Sequence, residues 1–396
     1  MIQDIISLSF ATMLAKISPI LIGLLLAMDG GENNYQLYVS FLMLSNLIIS
    51  ISAMGCSPQI ISLEKNSDSN AKFINFVLIG AIGVLLSLFI IYQISVFYNF
   101  LGGIFLNISI WSIFLYSLGS CLIYLAATRF NNLMQVKWSA YTWASFCFCN
   151  FTCFAGWLLL SKEISVLFNW VAVLTFFCGS TSIVAAVRVE NIPKVKECFL
   201  SKDYYFTTLK NAFYLSVFGF STVGMFLYLQ RLLVVNDENG SVYFSFLYQV
   251  FTIATFLPLI LGNIVIPRIV MEGSIGKKVY VVYCLSAGLI MTVFLLLHSN
   301  IVQLYGIDSE AVTNYNTIIF SVVAVVACVN SYSIQMVVAR KKFHLLVIYS
   351  IFWTGLILGY IHTNPLILKS VLEAMVISYS ICSFILFILV LKRRYL

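Results

Sequence analysis

Charge is scarce in this chain: only 9% of its 396 residues are Asp, Glu, Lys or Arg, against about a quarter in a soluble globular protein. That deficit, with 61% hydrophobic residues and a mean hydropathy of +0.99, excludes a water-soluble fold. Basic residues outnumber acidic ones, 22 to 15, but no run of them is long enough for a nucleic-acid arm. No G-x-x-x-x-G-K-[ST] occurs, which excludes an ATP motor of the P-loop kind. The three histidines, His298, His344 and His362, fall in separate segments and make no metal spacing. Ten cysteines are present, mostly inside apolar stretches and with no pair in an external loop, so no disulfide framework is expected. Cys147, Cys149 and Cys153 mimic ligand spacing but have no His or carboxylate nearby, and read as small apolar packing. A cleavable leader is not expected either. The first apolar stretch lacks a basic n-region and carries Asp4 in its place.

What remains is a succession of apolar runs. Roughly 20 apolar residues cross the hydrocarbon core as a helix, so twelve spans with their loops, at about 33 residues each, would use the whole chain. Between Lys72 and Arg129, 56 consecutive residues carry no charge. As one helix they would measure about 84 Å. The segment must therefore fold back, with Tyr98-Asn99-Phe100-Leu101-Gly102-Gly103 as the turn. The same reasoning starts spans near residues 7, 34, 73, 104, 139, 165, 211, 240, 279, 313, 344 and 367. The longest hydrophilic segment, 188–210, falls between spans six and seven. The expected fold is all-α and integral to the membrane, with about 12 helices. They would form a six-helix lobe over 1–187, a cytoplasmic linker over 188–210 and a second lobe over 211–396.

Orientation follows from the basic residues. Eighteen of the 22 fall in alternate loops on one side, including Arg129, Lys137, Arg188, Arg340 and Lys392-Arg393-Arg394. The opposite loops hold only Lys162 and are short and acidic, with Asp29, Glu32, Asp237, Glu238, Asp308 and Glu310. Both termini are therefore expected in the cytoplasm.

Three cations remain inside spans: Lys16, Arg231 and Lys369. Lys16 lies roughly 14 Å from the cytoplasmic end of span one. A charge near mid-bilayer costs about 2.5–3.5 kcal/mol on the insertion scale and persists when it faces a cavity or a partner. Snorkelling back to the interface is the alternative. Pro19 removes the hydrogen bond to the Ala15 carbonyl and opens a kink beside Lys16. Arg231, near the outer end of span seven, suits interfacial snorkelling as well as a cavity role. Lys369 and Glu373 share a helix face at i, i+4 and are expected to pair. Arg129 and Lys137 flank the loop between spans four and five. They read first as positive-inside markers and second as an anion-recruiting entrance. Asn46, Asn150, Gln249, Asn263, Asn330 and Gln335 lie at membrane depth, where hydrogen bonding between helices is the default role. The external loops are too short for a catalytic domain, and neither a catalytic group nor a metal site is expected.

The sum of these features resembles the O-antigen flippases of the Wzx type, in the polysaccharide-transporter branch of the superfamily that includes the MATE drug exporters. Tyr35-Gln36-Leu37-Tyr38 ahead of Gly55 resembles the opening of that family's second helix. The stretch from Tyr228 through Tyr243 to Pro258 and Ile266-Pro267-Arg268 is similar to its span seven–eight hairpin. Where the family often has an acidic-basic pair late in span seven, Gln230-Arg231 keeps only the basic member. The resemblance implies two six-helix lobes around a central cavity that opens alternately to each face. It also implies a lipid-linked oligosaccharide on undecaprenyl pyrophosphate as cargo, moved across a bacterial inner membrane. The expected cargo contacts are Lys16, Arg231, Arg129 and Lys369, and the expected kinks Pro19 and Pro258. No cofactor is implied beyond a coupling ion, H+ or Na+. The expected partners are membrane lipids and other polysaccharide-assembly membrane proteins, with no nucleic acid.

Two rival readings stand beside the flippase. A MATE-like exporter of small amphiphiles would share the fold, but a cation exporter should line its cavity with carboxylates, and Glu373 is the acid found at membrane depth. A membrane-embedded O-antigen polymerase would need long external loops bearing arginines, which this sequence lacks.

Overall fold

A computed structural model describes residues 2–61, 63, 69–98, 108–133, 135–160, 163–189, 202–272, 277–304 and 312–391. Several side chains within those helices, that of Lys16 among them, lie outside the description, as do residues 99–103 of the expected turn, Lys162 and Lys392-Arg393-Arg394. The described residues form eleven helices and no strand. These are α1 (Ile2–Ile61), α2 (Ser69–Tyr98), α3 (Ile110–Asn132), α4 (Val136–Leu160), α5 (Ile164–Arg188), α6 (Lys202–Asn236), α7 (Glu238–Glu272), α8 (Lys277–Leu304), α9 (Asn314–Ala339), α10 (His344–Thr363) and α11 (Leu368–Leu391). Helix is what hydrocarbon permits, because each backbone N–H and C=O must find its partner within the segment. Ten stretches among the described residues are long and apolar enough to cross a membrane. Peripheral apolar side chains such as Phe148 (72% exposed) and Leu296 (75%) form the surface that lipid would cover.

The largest departure from expectation is α1, which carries the first two spans, Phe10–Met28 and Asn34–Ala53, in one helical run of 60 residues. Straight, it would separate Ser18 from Ser52 by about 51 Å. Yet Ser18 meets Asn150 of α4, and Ser52 packs on Gly83 of α2. Both partners lie near the middles of helices that flank α3. The run therefore doubles back between the two serines, as two spans require. α6 begins at Lys202, so residues 202–210 of the expected linker are its first turns.

The chain forms two compact units. The first comprises Met1–Ile22 and Leu37–Val223, the second Gly23–Gln36 and Gly224–Leu396, so α6 contributes to both. In the first unit, α3 and α5 cross at Gly119 and Gly179. A Cβ on Gly119 would lie 2.5 Å from the Phe176 nitrogen, and one on Gly179 would collide with the Gly119 carbonyl. Such backbone-to-backbone approach is how helices associate where lipid removes the hydrophobic drive. In the second unit, α9 packs against α7, α8 and α11.

Candidate functional site

Each unit contains a proline-interrupted helix whose freed carbonyl is met by a side chain. In α1, Pro19 supplies no N–H to Ala15, and the Ser18 hydroxyl donates to that oxygen instead (3.1 Å). Asn150 of α4 donates to the same hydroxyl (3.4 Å). In α7, Pro258 leaves the Ala254 carbonyl short of a donor, and the Cys328 thiol of α9 occupies it (3.2 Å). Gln335, two turns further along α9, donates through Nε2 to the Pro258 carbonyl (2.7 Å) and accepts the Tyr283 hydroxyl of α8. Gly262 lies under the Gln335 amide, where a Cβ would collide with it. Pro258 is thus held from two neighbouring helices, and Gln335 has the interhelical role expected of it.

Arg129 is fully buried in α3 rather than exposed beside a loop. Nη1 donates to Asn132 (3.0 Å), Nη2 to the Ser69 hydroxyl (2.9 Å), and the guanidinium lies 5.5 Å from the centre of the Phe73 ring. Asn132 in turn donates to the carbonyls of Ile61 and Leu63. The guanidinium thereby ties the end of α1, the start of α2 and the end of α3 together. A buried cation with these partners is a structural tie, a role the marker reading did not include.

Both Glu373 carboxylate oxygens accept tyrosine hydroxyls, from Tyr315 of α9 (2.6 Å) and Tyr360 of α10 (2.8 Å). The Lys369 ammonium lies 5.0 Å from the centre of the Tyr315 ring. Lys369 is exposed, and its charge also acts on the Glu373 carboxylate one turn on, so the tyrosines join the expected pair. Arg231 is half-buried in α6, beside Gln230, which donates to the Ser245 hydroxyl of α7 (2.9 Å).

The expected cargo contacts of the first unit, Lys16 and Arg129, lie apart along the helices. Arg129 sits at the helix ends near Ser69. Lys16 precedes Ser18, whose partner Asn150 is about 20 Å along α4 from that end. In the second unit, Asp237 places Arg231 and Lys369 at one end. Its Oδ1 accepts from the Gly240 N–H (3.0 Å), capping α7, while its Oδ2 accepts from the Leu368 N–H (2.9 Å) at the start of α11.

Sequence reasoning missed one polar centre. Tyr243 of α7, His298 of α8 and Thr317 of α9 meet within hydrogen-bonding distance: Tyr243 Oη lies 2.6 Å from His298 Nε2 and 2.8 Å from Thr317 Oγ1. His298 was discounted because it makes no metal spacing with the other histidines. The available signal was its position inside an apolar run together with the Thr313/Thr317 pair that opens α9.

No family model matches this sequence, and no curated protein is similar to it in sequence. Solved structures do match. The MATE multidrug transporter DinF-BH superposes with a TM-score of 0.74 at 12% identity, over 99% of this chain and 96% of that one. An outward-facing multidrug resistance MATE family transporter of the MOP superfamily gives 0.71 at 11%, over 98% and 95%. A MATE in a straight conformation gives 0.69 at 13%, over 98% and 95%. The likeness at this identity is one of fold: an all-α, multi-pass membrane fold of the MATE type.

Proposed function

We propose that the protein is an alternating-access membrane transporter that exports amphiphilic cargo and makes no covalent change to it. The observation that carries this reading is the likeness to MATE transporters along nearly the whole of both chains. The prolines within helices of both units suit it, because a proline whose freed carbonyl is met by a side chain is a place where a helix can change its bend. The positive-inside count supports an orientation with both termini in the cytoplasm of a bacterial inner membrane.

A second reading, the flippase for lipid-linked oligosaccharide, is favoured by the charges. Glu373, the acid at membrane depth, has both carboxylate oxygens engaged by tyrosines. Lys16, Arg231 and Lys369 are cations that suit a pyrophosphate better than a cationic drug.

One experiment separates the two. Proteoliposomes of the purified protein are offered the cationic dye ethidium and, separately, a short-chain polyprenyl-pyrophosphate oligosaccharide. Protein-dependent movement of the dye alone supports the exporter, and movement of the pyrophosphate lipid alone supports the flippase. Movement of neither refutes both.

A further inference from the structure

The meeting of Tyr243, His298 and Thr317 has the properties of a proton-binding site. All three lie near one end of the second unit: about 8 Å into α7, 9 Å before the end of α8 and 5 Å into α9. Tyr243 and Thr317 are buried and His298 half-buried. The ring is held edge-on to Phe294 (centroids 5.3 Å apart) and to Tyr243 (6.0 Å). Besides the two short contacts, Thr317 Oγ1 lies 3.2 Å from His298 Nε2 and 3.1 Å from the Thr313 carbonyl.

Counting protons shows what this arrangement allows. Tyrosine and threonine bring one hydroxyl proton each, and Nε2 brings one or none. With Nε2 bare, Thr317 donates to Tyr243 and Tyr243 donates to Nε2. With Nε2 protonated, the imidazolium donates to Tyr243, Tyr243 to Thr317, and Thr317 to the Thr313 carbonyl. Each state keeps both short contacts filled, and each gives the two hydroxyl protons and any proton on Nε2 an acceptor; Nδ1 carries its own proton in both states and takes no part in the exchange. The Thr313 carbonyl already accepts its helical N–H from Thr317 (3.1 Å), so it loses nothing when the hydroxyl turns away. An added proton therefore reverses the chain of hydrogen bonds without moving a heavy atom.

We propose that Tyr243, His298 and Thr317 form a site that binds one exchangeable proton at His298 Nε2. Resting on the transporter reading above, the site's task is to couple export to proton entry from the outer side, where the expected topology puts this end of α7, α8 and α9. Among the described residues, the polar side chains that meet the imidazole are Tyr243 from α7 and Thr317 from α9, and its own helix adds Phe294. No carboxylate or cation contacts the ring from those three helices among the described residues.

The test uses the purified full-length protein with 15N-labelled histidine. Three histidines give three ring systems, and His298→Gln assigns the one in question. The expected result is a bare Nε2 and a protonated Nδ1 in alkaline solution, with a single protonation at Nε2 on acidification. Tyr243→Phe keeps the ring that stacks on Phe246 and should shift that midpoint by about half a pH unit or more. A ring that keeps its proton on Nε2 throughout, or a midpoint unmoved in Tyr243→Phe, overturns the site. In proteoliposomes, an acid-outside gradient should speed export of whichever probe moves severalfold in the wild type and not in His298→Gln. Equal acceleration in both overturns the coupling. If neither probe moves in the wild type, the transporter reading fails, and the resonance measurement still decides the proton site.

Discussion

Replacing Gly119 by alanine sets two opposed effects against each other, and the geometry says which wins. In a helix interior alanine is favoured over glycine by about 1 kcal/mol. At Gly119, however, the new methyl would lie 2.5 Å from the Phe176 nitrogen and 2.6 Å from both the Phe176 Cα and the Thr175 carbonyl carbon. Ordinary contact is about 3.5–4.0 Å, so α3 and α5 must part by about 1 Å. All three atoms are backbone, and no rotamer change relieves them. Overpacking of a tight core costs about 1–3 kcal/mol, and a clash with rigid backbone belongs at the upper end. A net loss of about 1–2 kcal/mol follows. Gly355 of α10 is the control, because a Cβ there meets nothing within 4 Å. Thermal unfolding of the purified protein in detergent, followed by tryptophan fluorescence, should place Gly119→Ala a few degrees below wild type. Gly355→Ala should match or exceed wild type. If Gly119→Ala melts as high as Gly355→Ala, α3 and α5 do not cross at this point.

Arg129→Gln should lower the amount of folded protein sharply, because two hydrogen bonds from a buried guanidinium, each worth about 1.5–3 kcal/mol, disappear together. Transport per folded molecule should be unchanged, whereas a cargo-binding arginine would lose rate at equal protein. Lys16→Ala should stop export without loss of folding, and Lys16→Arg should retain much of it; surface-polysaccharide complementation and probe export at matched protein levels check this, and full activity of the alanine variant refutes a cavity role. Asp237→Ala should cost about 0.5–2 kcal/mol at the α7 cap and more through α11, read as a lower melting temperature. Asp237→Asn, which keeps an acceptor, should recover part of that loss.

What the sequence could convey depended on how far each effect reaches along the chain. The missing N–H of Pro19 acts one turn away, so the Ala15 carbonyl was identifiable in advance, and the Ser18 hydroxyl now occupies it. The apolar runs were legible for the same reason: helix is dictated residue by residue in hydrocarbon. The tie made by Arg129 was not legible, because a cation at a helix end looks alike in a loop and in a core. Burial came from Ser69 and Phe73, about 60 residues earlier in the chain. Lys369 and Glu373 were paired by their i, i+4 spacing, which takes no account of Tyr315 and Tyr360 arriving from other helices. His298 needed α7, α8 and α9 to converge, and no local pattern encodes that.

The two oxygens of Asp237 also set an order of events for synthesis. One oxygen finds Gly240 as soon as α7 starts, but the other waits for Leu368, 131 residues later. At about 5–20 residues per second, that interval is on the order of ten seconds. During it, α6 through α10 can enter the membrane while one acceptor of this carboxylate remains open to water or to a chaperone. The arrival of α11 closes it, so docking of the last helix is the step that completes a contact begun about a third of the chain earlier. Ribosome-stalled intermediates that differ only in whether α11 has emerged should therefore differ in the exposure of Asp237, which hydroxyl-radical footprinting of the unaltered residue would report.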